Sequence, residues 1–215
     1  MTGPLVPGRN AVYAAALNRP ATLLALGDAL SLPPYQAPPR APVLHLKPAN
    51  TWSGNGEPIR CPAGVAGLRM GGSVGLVIGR TASRLSAARA LEWVSGLAVV
   101  NDVHLPYQSH FRPAIKERCR DGFCPIGAPV PMVAAFAPDR LEILVEINGK
   151  VVCREPPDYV RGAAALLAEV SAFLTLGPGD VLLLGEPAVP PLAGPGDLVR
   201  IIVDGIGTLE NPVIG

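Results

Sequence analysis

Apolar positions in this chain fall into short runs punctuated by Gly and Pro rather than into long periodic stretches. Residues 11–18 form an apolar run that predicts a strand, and residues 21–30 have helical composition. Pro33, Pro34, Pro38 and Pro39 follow, and each fixes φ and removes a donor, so an extended connector is expected. Residues 43–46 read as a short strand. VGLVI at 74–78, closed by Gly79, and LAVVNDV at 97–103 are continuous apolar runs of the length of buried strands. Between them Leu85, Ala88, Leu91 and Val94 set an apolar stripe that predicts a helix over 83–94. Residues 141–147 roughly alternate, with Leu141, Ile143 and Val145 on one face. Asn148-Gly149 then separates them from the apolar run 150–153, a hairpin signal. Val160, Ala164, Leu167, Val170 and Leu174 recur at helical spacing behind Asp158 as N-cap, until Gly177-Pro178 ends the helix. Pro178-Gly179-Asp180 and Pro195-Gly196-Asp197 are two copies of one turn, each feeding an apolar strand. The expected fold is α+β and mostly β: a mixed β-sheet roll or sandwich with a few flanking helices. Residues 1–40 are expected to form a small amino-terminal lobe and connector, and residues 41–215 the β-roll body.

Composition narrows this picture. The 215 residues include 24 glycines and 25 prolines, 49% are hydrophobic and only 16% charged. Disordered chains are apolar-poor and charge-rich, so that class is excluded. A net charge of +1 offers no global basic field for nucleic acid. No window approaches eighteen uninterrupted apolar residues, which argues against a membrane helix. The opening MTGPLVPGRN lacks a basic-then-apolar leader, so a cytoplasmic protein with four reduced thiols (Cys61, Cys119, Cys124, Cys153) is the expectation. The acids are unevenly placed: up to Leu91 only Asp28 and Glu57 occur among the 17 of the whole chain. A carboxylate-held divalent metal would have to draw its ligands from the later stretch.

The phosphate-binding, zinc-protease and serine-nucleophile motifs are absent. His104 and His110 lie six apart in a long irregular stretch, 104–131, with no third ligand nearby. That stretch carries Arg112, Lys116, Arg118 and Arg120, offset by Glu117 and Asp121 alone. Converging Arg and Lys suit a small carboxylate, and the competing reading is a solvated surface patch. Asp102 ends a buried strand directly before this loop, either as a site carboxylate or as a cap for backbone donors. Lys47 ends another strand, from which it could reach the same pocket or be an ordinary strand-end lysine.

From Lys47 to Val213 the segments KPANTWSGNGEPI, VGLVIGRTA, NDVHLPYQS, FRPAIKERCRDGFCPIG, LGPGDVLLLGEP and GTLENPV occur in order. Together they resemble the fumarylacetoacetate hydrolase family over about residues 11–213. Within it they resemble the amino-terminal halves or subunits of the branch that isomerises and decarboxylates intermediates of homoprotocatechuate (4-hydroxyphenylacetate) degradation. The resemblance implies a mixed β roll with Mg or Mn in catalytic members. The implied ligands are small unsaturated oxo-dicarboxylic and tricarboxylic acids, and the chemistry a double-bond shift or loss of CO₂ beside a carbonyl. It points to Asp102 as catalytic and metal-binding, and to Lys47, Asn50, Gln108, Arg112 and Arg118 as substrate-binding.

Position by position, the family's Glu-x-Glu falls on Gly71 and Ser73, leaving Asp102 as the one surviving acidic ligand. The lid His and Glu that follow Leu17-Asn18 fall on Thr22 and Ala25. The Arg-Asp after the family's aspartate becomes Pro106-Tyr107, and Gln108 sits one position short of the family's glutamine. The family's carboxylate-holding Lys becomes Arg118. Thr-Gly-Thr-Pro becomes Leu184-Gly185-Glu186-Pro187, which loses both hydroxyls and adds a negative charge. Metal in this chain is therefore expected to be degenerate or absent. Three readings follow. The chain is a subunit working beside a carboxy-terminal-type family subunit that carries the metal; or a non-catalytic pseudo-subunit that scaffolds such a partner; or an independent enzyme decarboxylating without metal through Arg118, Lys47 and Asp102. The first two make it part of a homodimer or hetero-oligomer, without nucleic acid or membrane.

Overall fold

A computed structural model describes residues 10–107, 109–133 and 136–215. The strands in chain order are β1 (Val12–Ala16), β2 (Val43–Lys47), β3 (Trp52–Ser53), β4 (Ile59–Arg60), β5 (Leu68–Arg69), β6 (Gly72–Ile78), β7 (Val94–Asn101), β8 (Cys124–Pro125), β9 (Val130–Pro131), β10 (Ile143–Ile147), β11 (Lys150–Glu155), β12 (Val181–Leu183), β13 (Leu192–Ala193), β14 (Leu198–Val203) and β15 (Gly207–Ile214). A larger sheet runs β2-β1-β12-β6-β7-β9, parallel only between β1 and β12. A smaller one runs β11-β10-β14-β15-β4, parallel only between β15 and β4. The mixed, mostly β architecture expected from the apolar runs is present. β1, from the first 40 residues, is an interior strand of the larger sheet.

The two sheets meet through Val74, Leu76, Ile78, Leu97 and Val99 on one side and Ile143, Val145, Ile201 and Leu209 on the other, all buried. They approach so closely that a Cβ on Gly72 would lie 2.9 Å from Ile201 and 3.0 Å from Ile143. The opposite face of β6 and β7, with Val77, Ala98 and Val100, is covered by Cys124, Trp52 and Ile126. Both faces of these strands are dry, which is why their sequences read as continuous apolar runs instead of alternating. Burial of this extent supplies the main driving force for the fold.

The turn devices form as expected. In both Gly-Pro-Gly-Asp copies the Asp carboxylate accepts from the backbone N–H three residues back, Gly177 to Asp180 at 2.7 Å and Gly194 to Asp197 at 2.8 Å. Gly179 and Gly196 sit at φ of 90° and 96°, which favours glycine. Asn148 and Gly149, both at positive φ, close the β10–β11 hairpin.

Two helices differ from expectation. Residues 83–89 are irregular, and only Ala90–Trp93 form a 3₁₀ turn before β7. Their donors go to distant partners: Arg84 N–H donates to Ser171 O at 2.6 Å and Leu85 N–H to Ser171 Oγ at 2.9 Å. Arg84 also stands at φ 52°, in the left-handed region, so a right-handed helix cannot run through it. The later helix spans Ala163–Ser171 and not 158–176. Residues 156–161 hold the chain at 18–19: Val160 N–H donates to Asn18 O at 2.9 Å, and Arg161 N–H to Asn18 Oδ1 at 3.0 Å. Asp158 is exposed and does not cap, Gly162 standing at the N-cap instead. Calling the three α-helices α1 (Pro20–Leu26), α2 (Ile115–Arg118) and α3 (Ala163–Ser171), no helix among the described residues is long and apolar enough to cross a membrane. The four cysteines are free thiols.

Candidate functional site

β7 is held between β6 and β9 with its carboxyl end at Asn101, so the chain delivers Asp102 onto the rim of the larger sheet. β2 brings His45 and Lys47 to the same place from the sheet's edge. α2 contributes Arg118, and the loop after β12 contributes Glu186. These side chains close into one buried charge cluster. Asp102 Oδ1 lies 2.8 Å from Lys47 Nζ, and Asp102 Oδ2 lies 2.9 Å from Arg118 Nη1 and 2.8 Å from His45 Nε2. Arg118 Nη2 donates to Glu186 Oε1, and Arg118 Nε donates to the Tyr107 hydroxyl at 2.8 Å. Glu186 Oε2 lies 3.0 Å from His104 Nε2. Arg118 is 2% exposed and Lys47 1%, so both cations are removed from solvent and tolerable only because they are paired.

Lys47 has no donor left for a ligand. Its ammonium donates to the carbonyls of Val103 at 2.7 Å, Phe123 at 2.9 Å and Arg118 at 3.0 Å while its charge faces Asp102. It therefore ties β2 to the end of β7 and to the loop on either side of α2. Asn50 lies on the far side of that loop, donating to Cys119 O at 3.1 Å and Asp121 Oδ1 at 2.7 Å. Arg112 is exposed on the rim of a second cavity of about 380 Å³ that also reaches His45 and Arg118. Lys116 is exposed, and Arg120 turns back onto Lys116 O at 3.0 Å. The basic segment is thus split, one member internal and the rest at or near the surface. Gln108 lies outside the described residues.

Electrostatics follow from this packing. Burial pushes the Asp102 carboxyl up, but Lys47, Arg118 and His45 outweigh it and hold it well below the usual carboxylate range. Burial likewise opposes ionisation of Glu186, and Arg118 with His104 brings it down to about 2. Burial pulls His45 down despite Asp102, and burial raises the Tyr107 phenol to about 12. Since the folded value for Glu186 lies below the unfolded one, its pairing contributes stability above about pH 5 that is lost as pH falls toward 2. That contribution is on the order of 3 kcal/mol. Thermal unfolding midpoints should fall between about pH 5 and pH 2 and fall less steeply in Glu186→Gln; equal slopes in the two proteins would show that Glu186 is not held ionised.

The position of Glu186 bears on the metal implied by the resemblance. A Cβ built on Gly71 would meet Glu186 Oε2 at 2.8 Å and Asp102 O at 2.5 Å. Glu186 thus fills the space beside position 71 from the opposite direction, and no side chain fits there. Ser73 is fully buried and bonds to Gly185 O at 3.1 Å. The two acids present are each committed to Arg118, and the described residues contain no group of three or more His, Cys, Asp or Glu able to hold a metal ion. The donor set does not fit Mg or Mn, which need several free oxygen ligands.

Beside the cluster opens a cavity of about 550 Å³ lined by Asn18, Arg19, Arg69, His104, Tyr107 and Glu186, among others. α1 stands over it and contributes Thr22, while Ala25 points to solvent and is exposed. Asn18 anchors α1 by donating to Leu184 O at 2.8 Å and Arg161 O at 3.0 Å. Arg69 gives one N–H to Pro190 O at 2.8 Å and pairs with no acid among the described residues, so its charge faces the cavity. Burial lowers the pKa of His110, which also lines this cavity. Sequence reasoning did not single out His45, Tyr107 as a partner of Arg118, or Arg69. The added charge at Glu186 was the one signal available for the cluster's second acid.

Comparison with known proteins gives a consistent picture. The family model described as "Fumarylacetoacetate (FAA) hydrolase C-terminal" matches residues 11–214. The chain is 45% identical over 207 residues to the 4-hydroxyphenylacetate degradation bifunctional isomerase/decarboxylase of Salmonella dublin, which covers 96% of this chain and 47% of that protein. The chain thus spans about half the length of the curated relatives it matches first. Among solved structures, 5-carboxymethyl-2-hydroxymuconate delta-isomerase from Mycobacterium smegmatis superposes with a TM-score of 0.81 at 32% identity, covering 99% of this chain and 80% of that one. Fumarylpyruvate hydrolase from Pseudomonas aeruginosa, solved with Mn²⁺ and pyruvate, superposes with a TM-score of 0.80 at 21% identity over 95% of this chain and 89% of that one, a likeness of fold.

Proposed function

The chain belongs to the fumarylacetoacetate hydrolase family, and on that premise we propose that it is a subunit of a 4-hydroxyphenylacetate (homoprotocatechuate) catabolic isomerase/decarboxylase. In this reading it acts in the cytoplasm on small unsaturated oxo-dicarboxylic or tricarboxylic acids. It works beside a carboxy-terminal-type family subunit that carries the Mg or Mn. The observation that carries the proposal is the match of 96% of this chain to 47% of a protein named for both reactions. A half-length chain corresponds to one of two halves, and the missing metal ligands at Gly71 and Ser73 make the other half the natural seat of the metal.

The geometry supports a role in binding more than in bond-making. Arg69 presents a guanidinium to the 550 Å³ cavity, suited to a carboxylate end of such an acid. Arg118, Lys47 and Asp102 are spent on one another and on carbonyls, which favours reading them as the frame of the cavity and counts against metal-free decarboxylation by those three. The same commitment favours a second reading, in which the chain only scaffolds its partner.

Purified chain, a carboxy-terminal-type subunit and their mixture, assayed for substrate loss and CO₂ release, test the proposal. Activity well above the partner's own is expected in the mixture alone. Turnover by the isolated chain, unaffected by chelator, would overturn the partner requirement. Arg69→Met in the mixture should raise KM with kcat little changed if Arg69 binds a substrate carboxylate. An unchanged KM would favour the scaffold.

A further inference from the structure

The second cavity, of about 380 Å³, opens between β2, an edge strand of the larger sheet, and the loop that leads into α2. β2 contributes Val43, Leu44 and Leu46 to its lining, and the loop and helix contribute Phe111, Pro113 and Ile115. Tyr35 pins the loop from outside. Its hydroxyl accepts from the His110 N–H at 2.8 Å, and its ring meets that of Phe111 edge-on at 6.1 Å. Leu46 is 53% exposed, Phe111 54% and Ile115 62%. A single exposed apolar side chain is ordinary, but three around one cavity mark a binding surface.

The polar groups around this cavity are few. Arg112 is exposed and pairs with no acid among the described residues. Arg118 also lines the cavity, but its guanidinium is spent on Asp102, Glu186 and the Tyr107 hydroxyl. His45 turns Nε2 to Asp102 and Arg118 and leaves Nδ1 without a bond among the described residues. No Asp or Glu among them lines the cavity. A mostly apolar wall with a few polar groups, at this volume, is the usual form of a small-molecule site. We infer that the second cavity binds a small aromatic monocarboxylate, its ring against the apolar wall and its carboxylate on Arg112. Phe111, Tyr107 and His110 offer the ring aromatic partners. The guanidinium of Arg112 matches the planar, two-oxygen geometry of a carboxylate. One free guanidinium holds one carboxylate, so the ligand differs in class from the oxo-dicarboxylic or tricarboxylic acid proposed for the first cavity. Tyr107 and His110 line both cavities, so the two sites share a wall.

Titration of the ¹⁵N-labelled full chain, followed through its amide resonances, tests the inference without a partner subunit or any turnover. The probes are benzoate, benzamide, which keeps the ring and lacks the charge, and succinate, which keeps the charge and lacks the ring. Benzoate should bind saturably, one per chain, and shift amides at 43–46 and 111–115. Benzamide and succinate should bind there at least about tenfold more weakly. Arg112→Gln should weaken benzoate by about tenfold or more, the loss of one charge-assisted contact. Arg112 is exposed, so the variant is expected to fold. Arg69→Met should leave benzoate binding unchanged. No saturable binding of benzoate to wild type overturns the inference. So do shifts confined to residues 69, 104 and 185–190 of the first cavity, equal binding of benzamide or succinate at β2, or an unchanged affinity in Arg112→Gln.

Discussion

Lys47→Met should destabilise the protein by about 3–5 kcal/mol, the range found when one partner of a buried ion pair is removed. Methionine keeps the unbranched apolar stem of lysine out to Cε and lacks only the terminal ammonium, so packing is nearly preserved and the loss falls on the charge. The carbonyls of Val103 and Arg118 lose their donor, that of Phe123 is left with the Val103 N–H at 3.1 Å, and Asp102 Oδ1 loses the charge 2.8 Å away. All four acceptors are in the dry interior, where a lost partner costs far more than at the surface. Against a typical total stability of about 5–15 kcal/mol this is a large fraction. For a chain of this size the melting midpoint should fall by on the order of 10 °C. Lys150→Met on the exposed hairpin end of β11 is the control and should stay within about 0.5 kcal/mol. Urea unfolding of the three proteins settles it; a Lys47→Met midpoint equal to that of the control would remove Lys47 from the frame of the site.

The same contrast explains what could be read from the sequence. Where local pattern and tertiary demand agree, the residues announce the structure. The run 74–78 and the run 97–103 as far as Asn101 are strands because both faces are buried, and the two Pro-Gly-Asp turns form because Asp180 and Asp197 close them within four residues. Local pattern fails where donors are captured from afar. The expected helix over 83–94 is broken where Arg84 takes a φ of 52° as residues 84 and 85 bond to Ser171, and the start of α3 is delayed because residues 160–161 bind Asn18. The site divides in the same way. Asp102 and the basic loop are neighbours in sequence, so their joint role was visible. His45 lies 57 positions from Asp102, and Glu186 lies 68 from Arg118. No periodicity encodes such pairings. The split of the basic segment was equally hidden: Arg118 is buried while Arg112 and Lys116 are exposed, and only the placement of α2 against β2 and β7 decides which is which.

Placing at position 71 the glutamate that the resemblance implies for catalytic family members should harm the protein. The Cβ of any residue there would lie 2.5 Å from the carbonyl oxygen of Asp102, a distance real Cβ atoms do not tolerate, and 2.8 Å from Glu186 Oε2. The second clash could be relieved by moving a side chain. The first involves backbone that is fixed by the Asp102 N–H to Gly71 O bond at 2.9 Å and by the pairing of Arg69 with His104. Overpacking of this kind costs about 1–3 kcal/mol or more, and a third carboxylate beside Glu186 and Asp102 adds repulsion in a poorly solvated site. Gly71→Ala isolates the steric part, and Gly71→Glu adds the charge. The expected order of melting midpoints is wild type, then Gly71→Ala, then Gly71→Glu, with the last lower than wild type by about 6–12 °C. Adding Glu186→Thr to Gly71→Glu should return the charge part and leave the steric part, since Asp102 O remains in place. A Gly71→Glu protein as stable as wild type would mean that the strand end can reopen to admit a side chain.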